Sequence, residues 1–187
     1  MCCLKMKANN GSGNNPDRDE WETPKELFSK LNKQYRFNYD CCATYKNNKC
    51  GSYTNDFERV DCFNLSICWM NPPFSKARQM FEHFFKVVNS GVAIYRCDNF
   101  ETKIWQEVIF LSCDCIFIPK GRVVYEGMEG NGSRFPSALI GIGIEPPKYL
   151  DGVCLSLLHT TLGFRSQNPV VSVTDLNKRR KNPVVMK

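Results

Sequence analysis

Asn71-Pro72-Pro73-Phe74 is the stretch of this chain best equipped for chemistry. It follows a short apolar run, Leu65 to Met70, and precedes a segment of helical periodicity, so it occupies the turn from a buried strand into a helix. In open α/β sheets, ligands bind at such turns, outside the carboxyl ends of the strands. Two adjacent prolines donate no backbone hydrogen bonds and hold φ at about −65°, which makes the corner stiff and leaves its carbonyls as acceptors. Asn71 adds a side-chain carbonyl and Phe74 a flat apolar face. Together they can accept both protons of an exocyclic amine while stacking on the ring that carries it. An amine such as the N6 of adenine is a poor nucleophile, because its lone pair is delocalised into the ring. Two carbonyl acceptors favour the pyramidal nitrogen and stabilise the positive charge that develops as a methyl group arrives. The same tetrapeptide also suits a tight loop whose Phe drops into the core.

Three further places carry candidate residues. Phe37 to Ala43 reads as a first strand ending in small residues, with Asp40 at its carboxyl edge. A carboxylate there can receive hydrogen bonds from a ribose or from the amino group of a methionine moiety, or can simply cap the strand end. Asp61, just before the second strand, can accept from the N6 of a bound cofactor adenine or stand as a solvated turn residue. A glycine-rich loop over residues 127–132 leads to Arg134 and Phe135, a basic group and an aromatic suited to phosphate and base, or to a mobile connector. His83, beside an apolar helical stripe, reads as a satisfied hydrogen-bond partner rather than a base.

The 187 residues fit one domain with a full core, and no apolar run approaches the roughly 18 residues that span a bilayer. The N-terminal Met1 to Lys7 lacks the apolar core of a signal peptide. Eleven cysteines would suggest disulfides in a small secreted protein, but the number is odd and Cys41, Cys42, Cys68, Cys97, Cys113 and Cys115 sit inside apolar runs, which fits free thiols in a reducing compartment. Cys113 and Cys115 lie on one strand face without a second pair at ligand spacing, and His83 and His159 are isolated, so no metal site is expected. A formal charge of +6 is compatible with a polyanionic partner, although part of the excess lies in Lys178-Arg179-Arg180-Lys181 and Lys187.

The elements that must position these residues follow from periodicity. Residues 1–18, rich in Asn, Gly and Ser, read as a flexible arm. Thr23-Pro24 starts a helix, with Pro at the first helical position and Leu27, Phe28 and Leu31 on its apolar face, through about Gln34. Residues 44–64 are polar and turn-rich and yield no assigned strand or long helix. Ala77, Met80, Phe81, Phe84, Phe85 and Val88 recur at intervals of three and four, the clearest amphipathic helix of the chain. Val92 to Cys97 is a strand, Ile104 to Leu111 a helix and Cys115 to Ile118 a strand. This alternation predicts an α/β fold: a mostly parallel sheet with helices on both faces. Arg122–Glu126 and Ser137–Ile144 look like an antiparallel hairpin at the sheet edge. The apolar segment Val153 to Leu158 stays unassigned, and residues 166–187 read as a basic tail.

Trp21-Glu22-Thr23-Pro24, Asp40-Cys41-Cys42-Ala43, Asn47 with Cys50, Asn71-Pro72-Pro73-Phe74, Gly121-Arg122 and Phe135-Pro136-Ser137, in that order, resemble the phage-type DNA N6-adenine methyltransferases. The resemblance runs from about Trp21 to Ile144 and implies a shortened Rossmann-like methyltransferase domain over residues 19–165. It implies S-adenosyl-L-methionine as cofactor, double-stranded DNA as partner, no metal and no membrane, a monomer or homodimer, and the cytoplasm of a bacterial host with a phage or prophage origin. Carried over by position, Asn71 and the Pro72 carbonyl, with Pro73 stiffening the corner, hold the target amine, and Phe74 stacks on the base. Trp21, Thr23, Pro24, Asp40, Cys41, Ala43, Asn47 and Asp61 serve the cofactor, and Arg122, Arg134 and Phe135 the DNA. Base flipping is implied, because N6 is inaccessible in a duplex. The chain departs from the wider pattern in lacking a glycine-x-glycine turn after Asp40, and Asp56 or Asp61 stands as an alternative ribose-binding acid. Rival readings are a catalytically silent DNA-binding protein of the same fold and a methyltransferase acting on RNA or on a protein glutamine.

Overall fold

The computed structural model describes residues 18–60, 67–127, 135–158 and 170–175. The strands are β1 (Tyr39–Asp40), β2 (Ser52–Tyr53), β3 (Ile67–Met70), β4 (Ser90–Arg96), β5 (Cys115–Pro119), β6 (Ser137–Ile142), β7 (Gly152–Leu158) and β8 (Val170–Asp175). They form one sheet in the order β2-β1-β3-β4-β6-β5-β7-β8. β2, β1, β3 and β4 are joined by parallel pairings. β6 runs against both β4 and β5, and β7 against both β5 and β8. Six strands therefore share one direction, and β6 and β7 oppose it.

Side chains alternate across this sheet with the period of two that a pleated strand imposes. Cys68, Met70, Ala93, Tyr95, Ile116 and Ile140 enter one core, whereas Trp69, Val92, Ile94, Phe117 and Leu139 enter the other. Helix α2 (Ala77–Val87) covers the first core with Met80, Phe81 and Phe84. It is joined there by a π-helix over Ile104–Ile109, carrying Trp105 and Ile109, which runs on into the single turn α3 (Phe110–Ser112). Helix α1 (Lys25–Tyr35) covers the second core with Phe28, Leu31 and Tyr35. Helices thus lie on both faces. Pro24 stands just before the first helical residue rather than on it, its carbonyl accepting the Phe28 N–H at 3.0 Å.

The expected edge hairpin does not form. Ser137–Ile142 is buried along its whole length and lies between β4 and β5, while residues 122–126 contribute only a bridge between Glu126 and Glu22. A strand of small and apolar residues with no polar alternation has no face for solvent and belongs inside a sheet. Exposed Arg122 and Val124 keep their own segment outside. The unassigned Val153–Leu158 lies in β7, and β8 falls inside the stretch read as a tail, so the sheet extends past residue 165. β7 pairs antiparallel with β5 on one side and with β8 on the other, and β8 pairs with β7 as the edge strand. The eight cysteines among the described residues are free.

Candidate active site

β3 ends at Met70, and the chain leaves the carboxyl edge of the sheet through Asn71, Pro72 and Pro73. The Pro73 carbonyl accepts the Lys76 N–H at 3.1 Å, closing a 3-10 turn over Phe74–Lys76 that leads into α2. No hydrogen bond to the Pro72 carbonyl forms among the described residues. Two contacts hold this corner from outside. Asp19 accepts the Ser75 N–H at 2.9 Å and also the Ser75 hydroxyl. The Trp21 carbonyl accepts from Asn71 Nδ2 at 2.8 Å. With its donor committed in this way, the Asn71 amide keeps Oδ1 as an uncommitted acceptor.

The segment carrying Trp21 is itself anchored. Glu22 and Glu126 exchange backbone hydrogen bonds at 3.1 and 3.0 Å, and the Lys25 N–H donates to Glu126 Oε1 at 2.9 Å. Lys49 Nζ, on a side chain only 11% exposed, pairs with Glu22 at 3.0 Å. The resemblance motif Trp21-Glu22-Thr23-Pro24 therefore supplies the backbone group that orients Asn71. Thr23 is 1% exposed, and its hydroxyl is buried without a partner.

The loop after β1 forms the other wall. Asp40 is 3% exposed and accepts the N–H groups of Lys49, at 3.0 Å, and Cys42, at 3.4 Å, tying together both ends of the loop. Burial raises its carboxyl to about 6, and the two N–H groups offset only part of that rise. Asn47 Oδ1 accepts from the Thr44 N–H and hydroxyl at 2.7 and 3.0 Å, which folds residues 44–48 into a tight turn. Burial holds the Cys41 and Cys42 thiols well above their ordinary range, so neither supplies a thiolate nucleophile.

Between these walls lies a cavity of about 670 Å³, lined by Cys41, Ala43, Asn47, Asn71 and Pro73 among others. Its size is that of a small-molecule site. It opens where chain order reverses in the sheet, with β2 on one side of β1 and β3 on the other, which is the switch point at which α/β sheets bind ligands. Asp56, an alternative ribose acid, lines it too. Asp19, Glu20, Glu22 and Tyr45 also border it and were not singled out from the sequence. Five carboxylates face two lysines, Lys46 and Lys76, around the rim, a balance that suits a cationic ligand.

The remaining expected residues lie elsewhere. Asp40 sits behind the loop, and it, Trp21, Thr23 and Pro72 are buried and do not line this cavity. Phe74 is half-buried, with Trp21, Tyr95 and Phe135 rings at 6.1, 6.0 and 5.5 Å, and is not among the lining residues either. Phe135 was expected to contact DNA but is only 4% exposed: it stacks on Trp21, with the Arg96 guanidinium 4.9 Å above its ring. The cause is apolar packing, since its ring closes the core beneath Trp21. Pro24 and Arg122 border a second groove of about 560 Å³ with Lys30, Lys120 and Tyr149. Asp61 and Arg134 lie outside the described residues. His83 bonds the Val60 carbonyl at 2.8 Å. Among the described residues there is no cluster able to hold a metal ion, and no helix is long and apolar enough to cross a membrane.

A mixed sheet with helices on both faces and a cavity at its switch point is consistent with a methyltransferase-like fold. The family model for DNA N-6-adenine-methyltransferase (Dam) matches residues 11–134, more than half of the chain, and the chain belongs to that family. No curated protein and no solved structure matches it.

Proposed function

We propose that this protein transfers a methyl group from S-adenosyl-L-methionine to the N6 amine of adenine in DNA. The observation that carries this reading is the Asn71 amide, anchored through its nitrogen on the Trp21 carbonyl and bordering the switch-point cavity. Its Oδ1 borders the cavity as the first acceptor for the target amine, and the carbonyl of the buried Pro72 next to it would be the second. As the N6 lone pair forms the new N–C bond, positive charge builds on nitrogen, and oriented oxygens stabilise it without reorganising. When bound, the cofactor supplies a methyl group already activated on sulfur, so the residues need only position and polarise the amine. Asn71 accepts hydrogen bonds but is no base, and the surplus proton leaves to solvent.

The cavity fits that cofactor in charge and size. The ligand is cationic and the rim is acidic. The backbone of Ala43, with Asn47 and Asp56, would hold its polar groups, while Asp40 acts from behind by fixing the loop. Phosphates need a different surface. Lys120 and Arg122 follow β5, whose carboxyl end lies on the same sheet edge as Asn71, because β5 shares the direction of β3. Three inter-strand steps separate β3 from β5, about 14 Å along the edge. With Lys30 these groups would contact the DNA backbone, fixing register without reading sequence.

The test is to incubate the purified chain with labelled S-adenosyl-L-methionine and unmethylated bacterial or phage DNA, then digest to nucleosides. Label in N6-methyldeoxyadenosine is expected. Label in RNA or protein glutamine and none in deoxyadenosine would reassign the substrate, and no label anywhere would leave the silent DNA-binding reading.

A further inference from the structure

We propose that Tyr45 is the aromatic platform on which a purine ring rests in the Asn71 cavity, a role that itself depends on the adenine methyltransferase reading above. Two adenines belong to that reaction, one in the cofactor and one in the DNA, and both present the same flat π-face. Holding either one calls for an open aromatic ring beside the acceptors. Phe74 faces other protein rings on several sides and does not line the cavity. Phe57 lines it but is only 2% exposed. Among the described residues, Tyr45 alone combines an aromatic ring on the cavity lining with an open face, being 74% exposed.

Its backbone shows that this exposure is built rather than incidental. The Thr44–Asn48 turn is closed by the Asn47 and Asn48 N–H groups donating to the Thr44 carbonyl at 3.3 and 3.1 Å. Asn48 Nδ2 donates to the Tyr45 carbonyl itself at 3.1 Å. Asp40 fastens the loop on either side, through the N–H groups of Cys42 and Lys49. The backbone that carries the ring is already ordered before a ligand arrives, so only the side-chain torsions of Tyr45 remain to be fixed on binding. Lys46 Nζ stands over one face of the Tyr45 ring, 5.7 Å from its centre, so a purine would take the other face.

The test compares full-length wild type, Tyr45→Phe and Tyr45→Ala. Calorimetry with S-adenosylhomocysteine reads the cofactor purine, kcat/KM for unmethylated bacterial DNA at saturating S-adenosyl-L-methionine reads the target purine, and thermal melting reads the fold. Tyr45→Ala should lower one or both of the first two by about tenfold, equivalent to about 1.4 kcal/mol. Tyr45→Phe should stay within about twofold of wild type, and Tm should not move, since an exposed ring holds no core together. A loss confined to calorimetry assigns the cofactor purine, a loss confined to kcat/KM assigns the target, and a loss in both places the ring between them. The proposal is overturned if Tyr45→Ala stays within twofold in both arms, if Tyr45→Phe is as weak as Tyr45→Ala, or if affinity falls only together with Tm. Should wild type bind S-adenosylhomocysteine but methylate no DNA, the methyltransferase reading fails while calorimetry still decides the role of Tyr45. If wild type binds none, both fail; if wild type methylates DNA and Tyr45→Ala is indifferent, only the platform fails.

Discussion

The two halves of the sheet are built on different terms. On the side of β2, β1 and β3, strands of two to four residues end in loops, and side chains hold those loops in place: Asp40, Asn47, Asp19 and Asn71 each bond to backbone outside the strands. On the side of β6, β5, β7 and β8, strands of five to seven residues pair antiparallel and hold one another through ladder hydrogen bonds. The short-strand half spends its polar side chains on shaping a cavity. The long-strand half supplies the rigid body against which that cavity keeps its shape. The family match ends at residue 134, so of the long-strand half it includes β5 and stops before β6, β7 and β8.

The sharpest way to break this contrast is Asn71→Ala. It removes the acceptor proposed for the target amine and leaves every strand intact, so kcat should fall by roughly 10²–10³, the loss typical of deleting one oriented group at a developing charge. Calorimetric affinity for S-adenosyl-L-methionine should stay near wild type. An equal loss of both would make Asn71 a structural residue of its corner.

Gly141→Ala probes the other half. A Cβ on Gly141, in the interior of β6, would sit 2.7 Å from Cys115 Sγ and 3.1 Å from Ile144 Cδ1. Cys115 is itself buried on the adjacent strand, so overpacking should cost about 1–3 kcal/mol. For a chain of this size each kcal/mol lowers Tm by roughly 2–4 °C. Stability should drop while the kcat of the folded protein holds. A fall in kcat with Tm unchanged would show that the long-strand half shapes the site directly.

The same contrast explains what could be read from residues alone. The Asn71 corner was legible because its signals are local: an apolar run, two prolines and an amphipathic stripe lie within about twenty residues. The anchor that orients Asn71 was not, because it is the carbonyl of Trp21, fifty positions away, and backbone atoms leave no mark in a sequence. Phe135 looked like a surface for DNA because it is an aromatic beside a loop, and only the meeting of Trp21 and Tyr125 around it buries its ring, while Phe74 is left half-buried against Trp21 and Tyr95. Asp40 was correctly placed at the end of a strand, yet the groups it bonds were hidden in a turn-rich stretch. β6 was recognisable as a strand, but not its seat between β4 and β5, because the long-range pairings that fix it involve residues more than forty positions away on the β4 side.

Asp40 offers the finest test, because it joins the two terms of the comparison: a buried group whose work is to hold a loop. Burial favours its protonated form, with the folded chain titrating it near 6 against about 3.9 for an unfolded one. The folded state thus binds the proton more tightly, and stability from this group is full below about pH 4 and lost as pH rises through about 6. Between pH 7 and pH 5 the wild type should gain on the order of 1 kcal/mol from Asp40 alone. Asp40→Asn cannot take up that proton, so the Tm of wild type minus that of the variant should grow as pH falls over this interval. A constant difference would mean that Asp40 keeps an ordinary carboxylate pKa. The backbone bonds predict a second consequence. An amide oxygen replaces two carboxylate oxygens, so Asn at this position accepts from the Lys49 or the Cys42 N–H but not from both, and releases one end of the loop. Cofactor affinity should therefore weaken at pH 7, with Asn71 and its anchor on Trp21 undisturbed.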